Sequence, residues 1–257
     1  MAYSPDTRTF TGARTAQDAV VLDAGLRAYM LRVYNWMASG LLLTAIVAYG
    51  IASTDLINAF YAPVQTARGI VVQPTGLAWI AILSPMAFVM VLSFGVNRLS
   101  TRAVQGLFWA FCIAMGASLT NIFLQYTGVS IVRTFFITAA TFGGMSLYGY
   151  VTKSDLTKMG SFLMMGLMGV VIASLVNVFL GSAGLQFVIS IIGVLVFVGL
   201  TAYDTQRIKS DYVQFSYAEG SDVAARRSVY DSLSLLLNFI NLFMLLLQLT
   251  GNRNSNN

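Results

Sequence analysis

SLSLLLNFINLFMLLLQLT, residues 232–250, has the length of a membrane-crossing helix and no charged residue, yet it carries three amides, Asn238, Asn241 and Gln248. A bilayer core about 30 Å thick is crossed by about 20 residues of helix. Polar side chains at that depth are costly and face a bundle interior rather than lipid. Asn238 and Asn241 stand three residues apart and so share a helix face. The stretch therefore predicts a helix sheltered by other helices, either as a full span or as a re-entrant segment.

The rest of the chain supplies that shelter. Of its 257 residues 57% are hydrophobic and 10% charged, and the mean hydropathy is +0.73. A soluble domain carries roughly 25% charged residues. Six more apolar segments precede the quoted one: 31–52, 77–96, 103–124, 130–151, 160–180 and 186–203. The fold class read from this pattern is an all-α integral membrane protein, a bundle of seven transmembrane helices. Connections are mostly short; residues 53–76, with Pro63 and Pro74, and residues 205–231 read as longer loops. Residues 1–26 read as a cytoplasmic tail, 27–251 as the seven-helix domain and 252–257 as a short polar tail. The polar N-terminus lacks the apolar core of a signal peptide.

Charge sets the expected orientation. Arg8, Arg14, Arg27, Arg32, Arg98, Arg102, Lys153, Lys158, Arg207, Lys209, Arg226 and Arg227 fall on one side, and Arg68, Arg133 and Arg253 on the other. The positive-inside rule then puts the N-terminus in the cytoplasm. The same topology accounts for the net charge of +5 without a nucleic-acid partner; the partner implied is the bilayer itself.

Small residues mark helix contacts. Gly40, Thr44, Ala48 and Ala52 recur every four residues in the first segment, and Ala110, Ala114 and Ser118 in the third; such stripes let helices approach closely in lipid. The twelve methionines read as gap fillers. A single cysteine, Cys112, allows no intrachain disulfide, and the lack of histidine removes imidazole catalysis and the usual zinc sites.

The functional candidates are polar groups inside the membrane: Asn121, Asn177, Asn238, Asn241 and the acids at the ends of the last two segments. Asp204 closes an apolar run in GLTAYDTQRIKSDY, 199–212. A carboxylate at a helix C-terminus opposes the helix dipole, so something must compensate it. Arg207, one turn on, offers a plain interfacial ion pair. Asp231 introduces segment seven as a helix cap or, seven residues before Asn238 and about 10 Å along the axis, as a second acid on nearly the same face. Asp155, in TKSDLTKMG, reads as the cap of segment five.

Four stretches together resemble the Bax inhibitor-1 family, also called the transmembrane BAX inhibitor motif family, in its bacterial branch. They are LRVYNWMASGLLLTAIVAY (31–49), IFLQYTGVSIVRTFFITAATFGGMSLYGYVTKSDLTKMGSFLMMGL (122–167), GLTAYDTQRIK (199–209) and LNFINLF (237–243). The resemblance implies seven helices with the last at the centre, in a bacterial inner membrane. It implies a proton-sensitive calcium leak in which two aspartates, one on each of the last two helices, sense pH and form part of the gate. Asp204 falls on the first position. The second is Asn238, an amide where such members have an acid. Two adjacent carboxylates cannot both ionise cheaply, so the replacement predicts a pH response at lower pH than in a two-aspartate relative. The family's arginine near the end of the second helix corresponds to Arg98, in VNRLSTRAV, with Arg102 as runner-up, and Asp231 is a candidate to stand in for the missing acid.

Three function classes follow. The leading one is a calcium leak gated at Asp204, with calcium passing transiently near it and no resident metal or cofactor. The second, carried by the resemblance, is an interaction protein that modulates a membrane-anchored ATP-dependent protease or a stress response. The third, an intramembrane enzyme, is not expected. Tyr203-Asp204 matches half of an aspartyl-protease signature, but no G-x-G-D occurs and Asn238 is neither acid nor base. No phosphate-binding G-x-x-x-x-G-K-[ST] loop is present either.

Overall fold

The computed structural model describes the backbone of residues 7–66, 69–95, 98–215 and 221–254, and side chains in these ranges from Leu22 on, apart from 66, 69–71, 215 and 221. Arg68 and the side chains of Arg8 and Arg14, expectations of the charge pattern, lie outside the described residues. In chain order the elements are α1 (Thr7–Ala52), α2 (Ile57–Phe60), β1 (Tyr61–Thr66), β2 (Gly69–Pro74), α3 (Gly76–Gly95), α4 (Thr101–Leu119), α5 (Ile122–Gln125), α6 (Gly128–Val151), α7 (Thr157–Leu180), α8 (Ala183–Phe215) and α9 (Ser221–Thr250). Seven of them, α1, α3, α4 together with α5, α6, α7, α8 and α9, provide helical windows long and apolar enough to cross a membrane.

The chain is a multi-pass membrane bundle, and α9 is its axis. Half of its membrane-length window is buried, against 11–33% for the other six, and it packs on α1, α4, α6 and α8. It is one uninterrupted helix of 30 residues, which leaves no re-entrant turn. The inward faces carry Leu235, Leu236, Leu242 and Leu247, none of them exposed.

Helix ends follow local chemistry. Ser100 and Thr127 cap α4 and α6, their hydroxyls accepting from the N–H of Ala103 and Ser130. Gly181 ends α7 at φ 61°, a left-handed turn that glycine takes at no steric cost. Asp155 does its capping one residue outside the cap position, its Oδ1 accepting from Thr157 N at 2.9 Å. Hydrogen bonds from the Thr157 hydroxyl and N–H hold that carboxyl below the usual carboxylate range. The longer connection after α1 is more ordered than its sequence suggests. β1 and β2 form an antiparallel hairpin from Tyr61↔Pro74 to Thr66↔Gly69. Two prolines hid the strand pattern; a hairpin with free edges tolerates them.

Close approach of backbones sets the helix crossings. On α1 the stripe Gly40, Thr44 and Ala48 is buried as expected. The surface it meets on α4 is Phe108, Cys112 and Gly116, not the half-buried Ala110, Ala114 and Ser118: Gly40 lies under the Phe108 ring and Gly116 under the Thr44 carbonyl. Both stripes repeat every four residues, so spacing alone does not choose between them. At the α6–α8 crossing Gly149 faces the Ala202 carbonyl so closely that a Cβ would overlap the backbone oxygen.

Gly149→Ala therefore destabilises the bundle by about 1–3 kcal/mol. Gly144→Ala, where an added Cβ meets no atom within 4 Å, leaves stability unchanged. Thermal unfolding of the two variants in detergent separates them.

Candidate functional site

One face of α8 is buried from the middle of the bundle almost to its end: Phe197, Leu200, Thr201, Asp204, Thr205 and Ile208 are each at most 7% exposed. The hydroxyls on this face satisfy themselves within the helix, Thr201 on the Phe197 carbonyl and Thr205 on the Thr201 carbonyl. Asp204 is the face's single charge, and its hydrogen-bond donors come from α9. Its Oδ2 accepts from Asn238 Nδ2 at 2.7 Å and from the Ser234 hydroxyl at 3.0 Å, both on α9. Its Oδ1 pairs with the Arg207 guanidinium at 3.1 Å. Ser234 and Asn238 are one turn apart on α9, and Asp204 and Arg207 one turn apart on α8, so two short polar patches meet across one seam.

These partners differ in weight. The Arg207 side chain is 40% exposed, so its attraction is screened and worth about 0–1 kcal/mol. Asn238 is 7% exposed and supplies a hydrogen bond to a charged acceptor, worth about 1.5–3 kcal/mol. The buried amide is the stronger hold.

A second acid stands two turns before Asn238 on α9. Asp231 is within α9, ten residues from its start, rather than at its N-cap, because the helix begins well before the apolar run. Its Oδ2 accepts from the Tyr29 hydroxyl at 2.5 Å, and the Tyr29 ring stacks on Tyr212 of α8 at 4.8 Å. Arg207, Arg227 and Asp211 lie within electrostatic reach of Asp231. Arg207 thus stands between both acids, paired with Asp204 and facing Asp231.

Arg98 has no part in this cluster. It sits exposed in the turn between α3 and α4, its N–H bonded to the Gly95 carbonyl, and no side-chain partner occurs among the described residues. The runner-up Arg102 is likewise exposed. The basic residue that ties this turn to α9 is Arg226, donating to the Leu99 carbonyl at 3.2 Å. Arg207 was legible from its three-residue step after Asp204, once α8 is known to run to Phe215. Because α8 continues, Asp204 is not at a helix C-terminus, and the dipole that seemed to oppose it acts eleven residues further on.

The other amides scatter. Asn241 is exposed while Asn238 is buried; a three-residue step rotates about 60°, enough to carry it past the edge of the seam, so the two do not share a sheltered face. Asn121 stands in the turn before α5 without a side-chain capping bond. Asn177 is buried at the far end, where Nδ2 donates to Gln186 and Oδ1 accepts from Ser182 N. Gln186 and Ser190 in turn donate to Gln248, clasping α7, α8 and α9 opposite the Asp204 seam.

Comparison with known proteins places this geometry in a family. The family model described as inhibitor of apoptosis-promoting Bax1 matches residues 26–255. An uncharacterised protein of Rickettsia prowazekii is 44% identical over 248 residues, 96% of this chain and 98% of its own. The inner membrane protein YbhL of Escherichia coli K12 is 44% identical over 230 residues, 90% of this chain and 94% of its own. A protein of Caulobacter vibrioides is 42% identical over 230 residues, 90% of each chain.

Asn238→Leu leaves a buried carboxylate oxygen without its main donor and lowers stability by about 1–3 kcal/mol; Ser234→Ala costs less. The double variant Asp204→Leu/Asn238→Leu recovers most of the loss, because an apolar pair replaces a polar one. Thermal unfolding of the four proteins in detergent decides this: a double variant no more stable than Asn238→Leu contradicts the assigned hold.

Proposed function

The chain belongs to the Bax inhibitor-1 family, and on that premise we propose that it is a calcium-permeable leak of the bacterial inner membrane, gated by a proton at Asp204. The observation that carries the reading is the buried hydrogen bond from Asn238 to Asp204, which joins α8 to the central α9 at a charge that acid removes. The inner-membrane relative and the apolar bundle support the location, and the clustered basic residues support a cytoplasmic seam.

In the ionised state Asp204 accepts from Asn238 and Ser234 and attracts Arg207. Protonation removes the charge that made these bonds strong and releases Arg207 toward Asp231. Loss of about 1.5–3 kcal/mol from one charge-assisted bond is enough to shift a two-state equilibrium at least tenfold. α8 and α9 then separate at this end. Among the described residues no three His, Cys, Asp or Glu side chains gather, so calcium passes on transient oxygen contacts rather than a tight cage.

A second reading rests on α1. Its helix begins at Thr7, well before the apolar run that opens at residue 31; the polar leading turns, on the basic side, suit a membrane-anchored ATP-dependent protease.

Calcium flux into proteoliposomes across pH tests the first reading. Wild type responds to acid, and Asp204→Asn, fixed in the neutral form, leaks without pH dependence. Asn238→Asp places a second carboxylate beside the first; the like charges keep a shared proton to higher pH, so its acid response moves up in pH. No flux in any of the three at any pH sinks the leak and leaves the interaction protein.

A further inference from the structure

Away from the α8–α9 seam, the bundle is open between α1 and α6. A groove of about 540 Å³ runs there, lined on α1 from Arg27 to Leu41 and on α6 from Ala139 to Tyr150, with Phe239 of α9 as its floor. Fourteen residues of helix separate Arg27 from Leu41, about 21 Å, which exceeds the depth of one leaflet, about 15 Å. The rim faces the surroundings: Leu31 is 58% and Leu147 63% exposed. The wall is apolar, with Met30, Met37 and Phe142. The hydroxyls of Tyr34 and Ser146 are already engaged, Tyr34 with Ser146 and Ser146 with Thr205.

The charged side chain of the lining is unspent. Arg27, at the basic end, is exposed and has no hydrogen-bond or ion-pair partner among the described residues; Asp23, one turn before it, is not within ion-pair distance. At the same end of the groove Lys209 Nζ lies 5.1 Å over the Tyr150 ring. A free cation at the mouth and an aliphatic channel leading to mid-membrane describe an amphiphile with an anionic head. We propose that this groove seats one acyl chain of an anionic phospholipid from the leaflet at the basic end, with its phosphate on Arg27. An acyl chain gains no hydrophobic free energy by leaving other acyl chains, so the preference comes from the head: guanidinium and phosphate form paired, charge-assisted bonds, for which the ammonium of a zwitterionic head competes and the uncharged glycerol of an anionic one does not. The signature is therefore selectivity between headgroups. The seat does not depend on ion conduction and stands if the leak fails.

The full chain, purified in mild detergent and equilibrated with equal phosphatidylglycerol and phosphatidylethanolamine, is read by native mass spectrometry. Wild type retains one phosphatidylglycerol in about tenfold preference, the effect of one unit of net head charge beside the guanidinium. Arg27→Gln retains the two lipids equally. Gly143→Leu fills the groove, since a Cβ there meets no protein atom within 4 Å, and it loses lipid of both kinds. Gly144→Leu, equally free of contacts but outside the lining, behaves as wild type and controls for folding. Equal retention of both lipids by wild type, or undiminished lipid on Gly143→Leu, overturns the proposal.

Discussion

A charge inside a lipid-embedded bundle has no water to answer it, so the protein must supply the donors itself. Asp204 is answered by an amide, a hydroxyl and a guanidinium, and much of the architecture serves that requirement. α9 has to be central to bring Asn238 to it. α8 has to continue past Asp204 to bring Arg207 back over it. At that seam the last two helices are joined by a buried carboxylate as well as by packing.

Away from that seam the bundle is held by fit. Lipid offers no hydrophobic drive for helix association, so contacts rely on small residues and the aromatics that fill beside them. Gly40 beneath Phe108 and Gly149 against the Ala202 carbonyl are the clearest cases; Trp36 closes the first of these edge-on to Phe108 at 5.4 Å. Such contacts have one good geometry and no electrical handle, which makes them a rigid frame for the polar seam.

The sequence states some of this openly. Apolar length names the seven crossing segments, and an amide in an uncharged stretch places Asn238 inside. The meeting of Asn238 with Asp204 was carried by family resemblance, because two segments thirty residues apart in sequence give no register by themselves. What stayed hidden shares one cause, the side-chain rotation that periodicity fixes only to within a face. Asn241 seemed equivalent to Asn238 yet looks outward. Ala110 and Ala114 seemed equivalent to Cys112 and Gly116. Arg98 was carried by the family resemblance, whereas Arg207, read as a plain pair one turn on, is the guanidinium that meets Asp204; that α8 runs on past Tyr203 stayed hidden because hydropathy reports where lipid ends and not where a helix does. The hairpin at 61–74 was concealed by its prolines.

The chain after α9 turns back on the bundle at the end remote from Asp204. Thr127 N donates to the Asn252 carbonyl, Asn254 N to the Gln125 carbonyl and Asn252 N to the Ser130 hydroxyl, while Arg253 bridges Tyr126. The central helix is thus pinned there by backbone bonds and held at its other end by side-chain bonds to a carboxylate. It is a lever with a fixed fulcrum: over about 45 Å of helix, a tilt of only about 5° sweeps the free end through about 4 Å, more than the width of a water molecule. Motion that is negligible at the strapped end is amplified at the other.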